Sequence, residues 1–207
     1  MGEHIFEGPE GKLEGRLELP EGSPRGCAVI CHPHPLFGGT FQNTICVRAA
    51  RALRGHGFAT LRFNFRGVGK SEGVHDGEGG EEGDVRAALD ELYAQLGRLP
   101  AWAVGYSFGA RTVCGLAARD NDIERTVLIA LPLRTYGPGR LLDLRQETLM
   151  LFGNLDEHGT EADLPVLKDH IDVRTIEGAD HFFRGRTPLV EEHIHTYAKA
   201  KSFPKSF

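Results

Sequence analysis

The chain's 207 residues suffice for one sizeable hydrophobic core and leave no room for a second domain of comparable size, so residues 1–207 read as a single domain. Its 24 Lys and Arg against 29 Asp and Glu give a net charge of −5, which excludes the basic footprint of a nucleic-acid or anionic-membrane binder. With 40% hydrophobic and 26% charged residues the composition is that of a soluble globule.

No stretch approaches the roughly 20 apolar residues of a membrane span. The opening Met1-Gly2-Glu3-His4-Ile5-Phe6 lacks the basic region and apolar core of a secretory signal, so the expected compartment is the cytoplasm. The four cysteines agree: Cys27 and Cys31 lie on one predicted strand, with Cα atoms roughly 13 Å apart and beyond bridging. Cys46 and Cys114 fall in helical patterns, and all four read as small buried hydrophobes with reduced thiols.

In chain order, an antiparallel hairpin is expected over residues 4–19, turning around Gly8-Pro9-Glu10-Gly11. Strands and helices then alternate. Strands are expected near 27–32, 58–64, 101–106, 126–131, 148–152 and 173–177, and helices near 42–55, 82–96, 108–119, 162–170 and 187–200. The alternation implies an α/β fold with a mostly parallel sheet covered on both faces, and no internal repeat interrupts it. Residues Gly67 to Gly83, rich in glycine and acid, read as an exposed loop. Gly69-Lys70-Ser71 imitates the end of a phosphate-binding loop, but Asn64 stands where that pattern requires glycine and no helix starts at Ser71.

The most informative stretch is Gly105-Tyr106-Ser107-Phe108-Gly109, directly after the apolar run Ala101-Trp102-Ala103-Val104. A G-x-S-x-G turn between strand and helix holds its serine in a strained conformation that projects the hydroxyl above the sheet edge. Serine is a weak nucleophile at neutral pH; an imidazole must take its proton, and a carboxylate must hold the imidazole's tautomer. Asp156 follows the apolar run Thr148 to Phe152, and His181 follows the alternating run Val173 to Glu177, so both fall on loops at the same sheet edge as Ser107. Ser, Asp, His is the chain order of an α/β-hydrolase.

Competing candidates are weaker. Glu157 would point away from Asp156 along extended chain, and Asp180 is too near His181 to reach its ring and suits the turn instead. His158, His170, His193 and His195 read as solvated or packed histidines. Two His-x-His pairs, His32 with His34 and His193 with His195, do not make the three or four convergent ligands a metal site needs, and no cofactor motif is present.

An oxyanion hole needs backbone donors, and the loop His32 to Gly39 after the first buried strand is where this arrangement would supply one. Pro33 and Pro35 have no N–H, which leaves His34, the first choice, or Leu36, with Phe108 giving the second donor. His32 suits a loop anchor. Leu36, Phe37, Phe108, Leu133, Tyr136 and Phe182 are candidate apolar walls, and the interval Arg134 to Glu147 is too short for a helical lid.

Four stretches, His32 to Gly39, Leu61 to Gly73, Gly105 to Gly109 and Gly178 to Phe183, together resemble the small bacterial α/β-hydrolases related to dienelactone hydrolase. The resemblance runs from about Cys27 to the C-terminal helix. It implies a lidless serine hydrolase of the carboxylesterase type, acting through Ser107, Asp156 and His181. Ser107 departs from the dienelactone hydrolases themselves, whose nucleophile is cysteine. The expected partner is a small ester, with the chain a monomer or small homo-oligomer. Thioesters and small peptides are cleaved by the same machinery, and a non-catalytic ligand-binding member of the fold is the alternative of a different kind.

Overall fold

Eight strands form one sheet in the order β1-β2-β4-β3-β5-β6-β7-β8 in the computed structural model, which describes residues 4–77 and 79–201. The hairpin is present as β1 (His4–Gly8) and β2 (Gly11–Glu18), antiparallel to each other, with β2 antiparallel to β4 (Phe58–Phe63). From β4 onward every pairing is parallel, through β3 (Gly26–Cys31), β5 (Ala101–Tyr106), β6 (Ile123–Ile129), β7 (Glu147–Gly153) and β8 (Ile171–Ile176).

The central strands β3, β4 and β5 are buried at every residue, as parallel strands covered on both faces must be. Their side chains alternate between two cores. Cys27, Val29 and Cys31 join the cluster under α2 (Glu81–Leu96) and α3 (Phe108–Ala117), which contribute Val85, Leu89, Leu92 and Val113. Ala28 and Ile30 join the other cluster, under α1 (Thr44–Arg54) and α5 (Thr187–Lys201), with Leu53, Val190, Ile194 and Tyr197. Each large side chain so buried contributes about 1.5–3 kcal/mol relative to exposure. The Asn43 side chain accepts from the Ile45 N–H and starts α1.

Two sequence expectations fail. The helix expected over 162–170 is only a 3-10 turn, Glu161–Asp163, followed by extended chain. Pro165 supplies no N–H, and it drives Leu164 out of the helical region, to φ −75° and ψ 140°. His170 therefore precedes β8 rather than ending a helix, and its Nε2 lies 3.1 Å from the Leu144 carbonyl. The Gly67 to Gly83 segment is not simply exposed: α2 begins inside it, and Ser71 is buried, its hydroxyl donating to the Asn64 carbonyl at 2.7 Å and accepting from the Glu14 N–H at 3.0 Å. Arg66, at the mouth of this loop, is held against buried Asp84 at 2.7 Å.

Between β6 and β7 the chain forms only the four-residue helix α4 (Leu133–Tyr136) and a 3-10 turn, Leu141–Asp143, leaving the carboxyl edge of the sheet without a cap. Among the described residues no helix is long and apolar enough to cross a membrane. The four cysteines are free and buried, and burial pushes the Cys27, Cys46 and Cys114 thiols up to about 12 and raises Cys31 as well.

Candidate active site

Ser107 sits between β5 and α3 with φ 55° and ψ −116°, a conformation L-residues rarely adopt, and its N–H is tied to the Ile129 carbonyl at 2.8 Å. The flanking glycines permit this through close packing. A Cβ on Gly105 would meet the Gly109 carbonyl oxygen at 2.2 Å, and one on Gly109 would meet the Cys31 carbonyl oxygen at 2.5 Å. Strand, turn and helix thus press together where only glycine fits, which aims Ser107 at the open edge.

The loops after β7 and β8 deliver the other two groups. Ser107 Oγ lies 2.9 Å from His181 Nε2, and His181 Nδ1 lies 2.8 Å from Asp156 Oδ2 and 3.0 Å from Oδ1. All three residues are buried, Asp156 to 2% exposure. The His158 N–H donates to Asp156 Oδ1 at 2.8 Å, fixing the carboxylate from behind. The Tyr106 hydroxyl donates to the His181 carbonyl at 2.9 Å, fixing the histidine's own backbone. Asp180 accepts from the Phe182 and Arg184 N–H groups, the turn-forming role expected of it, and Glu157 is exposed.

The loop after β3 is anchored by His32, whose Nε2 accepts from the Phe65 N–H at 3.0 Å while Nδ1 lies 2.6 Å from the Pro33 carbonyl. The first contact requires the proton on Nδ1, so the ring is neutral and bridges the loop to the end of β4. His34 caps the 3-10 turn Pro35–Phe37: its Nδ1 accepts from the Leu36 N–H at 3.2 Å, and its carbonyl accepts from the Phe37 and Gly39 N–H groups, both at 3.1 Å. Of the two loop donors the sequence left open, the Leu36 N–H is thereby engaged. The His34 and Phe108 rings pack at 5.1 Å, which brings the loop beside the start of α3.

Burial lowers the His32 pKa from 6.5 to about 4. Below pH 6.5 the unfolded chain takes a proton there that the folded chain refuses until about pH 4, so stabilisation present above pH 6.5 is lost as pH falls toward 4. The full shift corresponds to about 3 kcal/mol. His32→Gln should therefore flatten the fall in urea-unfolding free energy between pH 6.5 and 4.5; an unchanged slope would contradict the assignment.

A cleft of 460 Å³ opens over Ser107. Phe37, Phe108, Tyr136 and Phe182 line it as the sequence suggested. Leu133 does not: it is 6% exposed and belongs to the core, because the first turn of α4 faces inward. Leu36 also lies outside the lining, turned to solvent by the 3-10 turn. Sequence reasoning missed Thr135, Asn43 and above all His158, which lines the cleft and packs its ring against His181 at 4.5 Å. The available signal was its spacing, since an N–H two residues after an aspartate commonly bonds that carboxylate. Among the described residues no three metal-ligating side chains converge; His195 instead pairs with His56 at 3.0 Å.

Comparison with known proteins identifies the fold. The family model described as alpha/beta hydrolase fold matches residues 30–171. The uncharacterized protein RP471 of Rickettsia prowazekii (strain Madrid E) is 33% identical over 210 residues, covering 95% of this chain and 88% of that protein. An alpha-beta serine hydrolase homologue from Coxiella burnetii is 32% identical, covering 95% of this chain and 96% of its own, with a TM-score of 0.88. XC6422 from Xanthomonas campestris, a serine hydrolase without a lid, is 28% identical, covering 98% and 96%, also with a TM-score of 0.88. The chain, with its uncapped sheet edge and its serine elbow, belongs to the alpha/beta hydrolase fold family.

Proposed function

We propose that the protein is a serine esterase that hydrolyses short-chain carboxylic esters through an acyl-enzyme on Ser107. The observation that carries the reading is the unbroken hydrogen-bonded chain from Ser107 Oγ through His181 to Asp156 at the mouth of an uncovered cleft.

In this mechanism His181 Nε2 takes the Ser107 proton as Oγ attacks the ester carbonyl carbon, and Asp156 stabilises the imidazolium. The carbonyl oxygen, now carrying the negative charge, is held by the His34 and Phe108 N–H groups, each such donor worth about 3–4 kcal/mol. The tetrahedral species collapses, the C–O bond to the alcohol breaks, and His181 gives its proton to the departing oxygen. Water then attacks the acyl-enzyme with His181 again as base, releasing the acid and restoring Ser107. The acyl group rests against Phe37 and Phe108, an uncharged surface suited to an alkyl chain. The reading includes a small-molecule ester as partner, a monomer or small homo-oligomer, and a cytoplasmic setting supported by four buried free thiols.

A series of p-nitrophenyl esters tests the reading. Acetate through hexanoate should be turned over, with kcat/KM falling for longer chains and no jump in rate above the micellar concentration. Failure to turn over any member in folded protein would refute it.

A further inference from the structure

His158 stands on the departing-alcohol side of the cleft. His181 must pass its proton to the leaving oxygen, so that oxygen has to come within about 3 Å of Nε2. The alcohol carbons attached to it then rest on whatever rings surround His181 and also line the cleft. Three do so, His158 at 4.5 Å, Phe182 at 5.5 Å and Tyr106 at 5.9 Å from the His181 ring, and of these Tyr106 has its hydroxyl tied to the His181 carbonyl. The proposed oxyanion donors belong to the loop after β3 and the start of α3, where the His34 ring packs on Phe37 and Phe108.

This half of the cleft is uncharged yet polar. Among the described residues no Lys, Arg, Asp or Glu lines it, and the Arg184 guanidinium over the Phe182 ring is already paired with Asp180, so a charged leaving group would lose hydration without a free counterion. Of the other polar side chains around Ser107, the Tyr106 hydroxyl is committed to the His181 carbonyl, while Asn43 Oδ1 is tied to the start of α1 and His34 Nδ1 to Leu36, both of these residues lying on the loop after β3. Thr135 and His158 face each other across 3.4 Å, hydroxyl to Nδ1. The tautomer that lets the Thr135 hydroxyl donate to Nδ1 carries its proton on Nε2, where it is a spare donor. Exposed Glu157 comes to 3.7 Å from that atom, too far for a hydrogen bond. The backbone at position 158 is held independently, by its N–H to Asp156 and its carbonyl from the Arg134 N–H at 2.9 Å.

We infer that His158, seated by Thr135, selects esters whose leaving alcohol carries a further hydroxyl near the scissile oxygen, a glycol, glycerol or sugar type of alcohol, over esters of plain alkanols. The inference rests on the esterase reading and specifies its substrate class: a neutral, hydroxylated alcohol on a short acyl group.

Butyrate esters of ethanol, ethylene glycol and glycerol provide the test, because all three pass through the same acyl-enzyme and kcat/KM reports only the step in which the alcohol leaves. In the wild-type protein the glyceryl ester should exceed the ethyl ester by roughly tenfold, the scale of one hydrogen bond. His158→Phe should collapse that ratio to about one through KM, His158→Gln should recover part of it by offering an amide N–H, and Thr135→Val should lower it less than His158→Phe does. A purely structural role would depress all three esters by a common factor and leave the ratio intact; that result, or no wild-type preference, overturns the inference. Covalent labelling of Ser107 by a fluorophosphonate separates the two levels. Labelling without alcohol selectivity removes only the role of His158, whereas absence of both labelling and turnover removes the esterase reading with it.

Discussion

Ser107→Ala is expected to drop ester turnover by at least about 10⁴-fold while the protein remains folded. Among the described residues the hydroxyl is the group hydrogen-bonded to His181 Nε2, at 2.9 Å. Alanine accepts the same backbone with the loss of one hydrogen bond, so the unfolding free energy should move by no more than about 1 kcal/mol. His181→Ala should cost a comparable factor. The double variant should be no slower than either single one, because nucleophile and base act as one unit. Losses that multiplied instead would mean that serine and histidine serve separate processes.

Gly109→Ala is expected to damage the fold severely. In an exposed helix, alanine is favoured over glycine by about 1 kcal/mol. Here the sign reverses, because the new Cβ would stand 2.5 Å from the Cys31 carbonyl oxygen and 2.7 Å from that of His32, both rigid backbone. Overpacking of side chains costs about 1–3 kcal/mol, and backbone has less room to yield, so a loss of about 3 kcal/mol or more is expected in urea unfolding. Activity should fall with it, since relief of the clash must move α3 or the end of β3, and β3 leads directly into the loop of His34, the proposed oxyanion donor. A stability gain from the variant would contradict the packing described for the elbow.

The strands were legible because buried parallel strands are continuous apolar runs, and Ala28-Val29-Ile30 or Leu149-Met150-Leu151 has no other plausible place. Ser107, Asp156 and His181 could be read as candidates because each follows such a run, and sheet topology brings the ends of parallel strands to one edge. Legibility failed where burial is decided by pairing instead of hydropathy. Arg66 and Asp84 are charged residues that bury each other, so their surroundings looked like open loop. At Leu164 and Leu167 the apolar spacing suggested a helix, but Pro165 between them removes a donor and redirects the chain, while both leucines still pack on the core. Leu133 and Tyr136 were read alike as pocket walls; their separation onto the inner and outer faces of α4 depends on a turn whose phase no local pattern reveals. His158, read as a solvated or packed histidine, was not recognised as a wall of the cleft because its ring meets that of His181, far along the chain, a contact made only in three dimensions.

Mass spectrometry of the protein after fluorophosphonate treatment tests the central claim most directly. One phosphonyl adduct should appear on Ser107 and on no other serine, and it should be absent from Ser107→Ala and much slower to form in His181→Ala. Folded protein that takes up no adduct, or takes it up equally without His181, would contradict an activated serine and favour a fold that binds its ligand without turning it over.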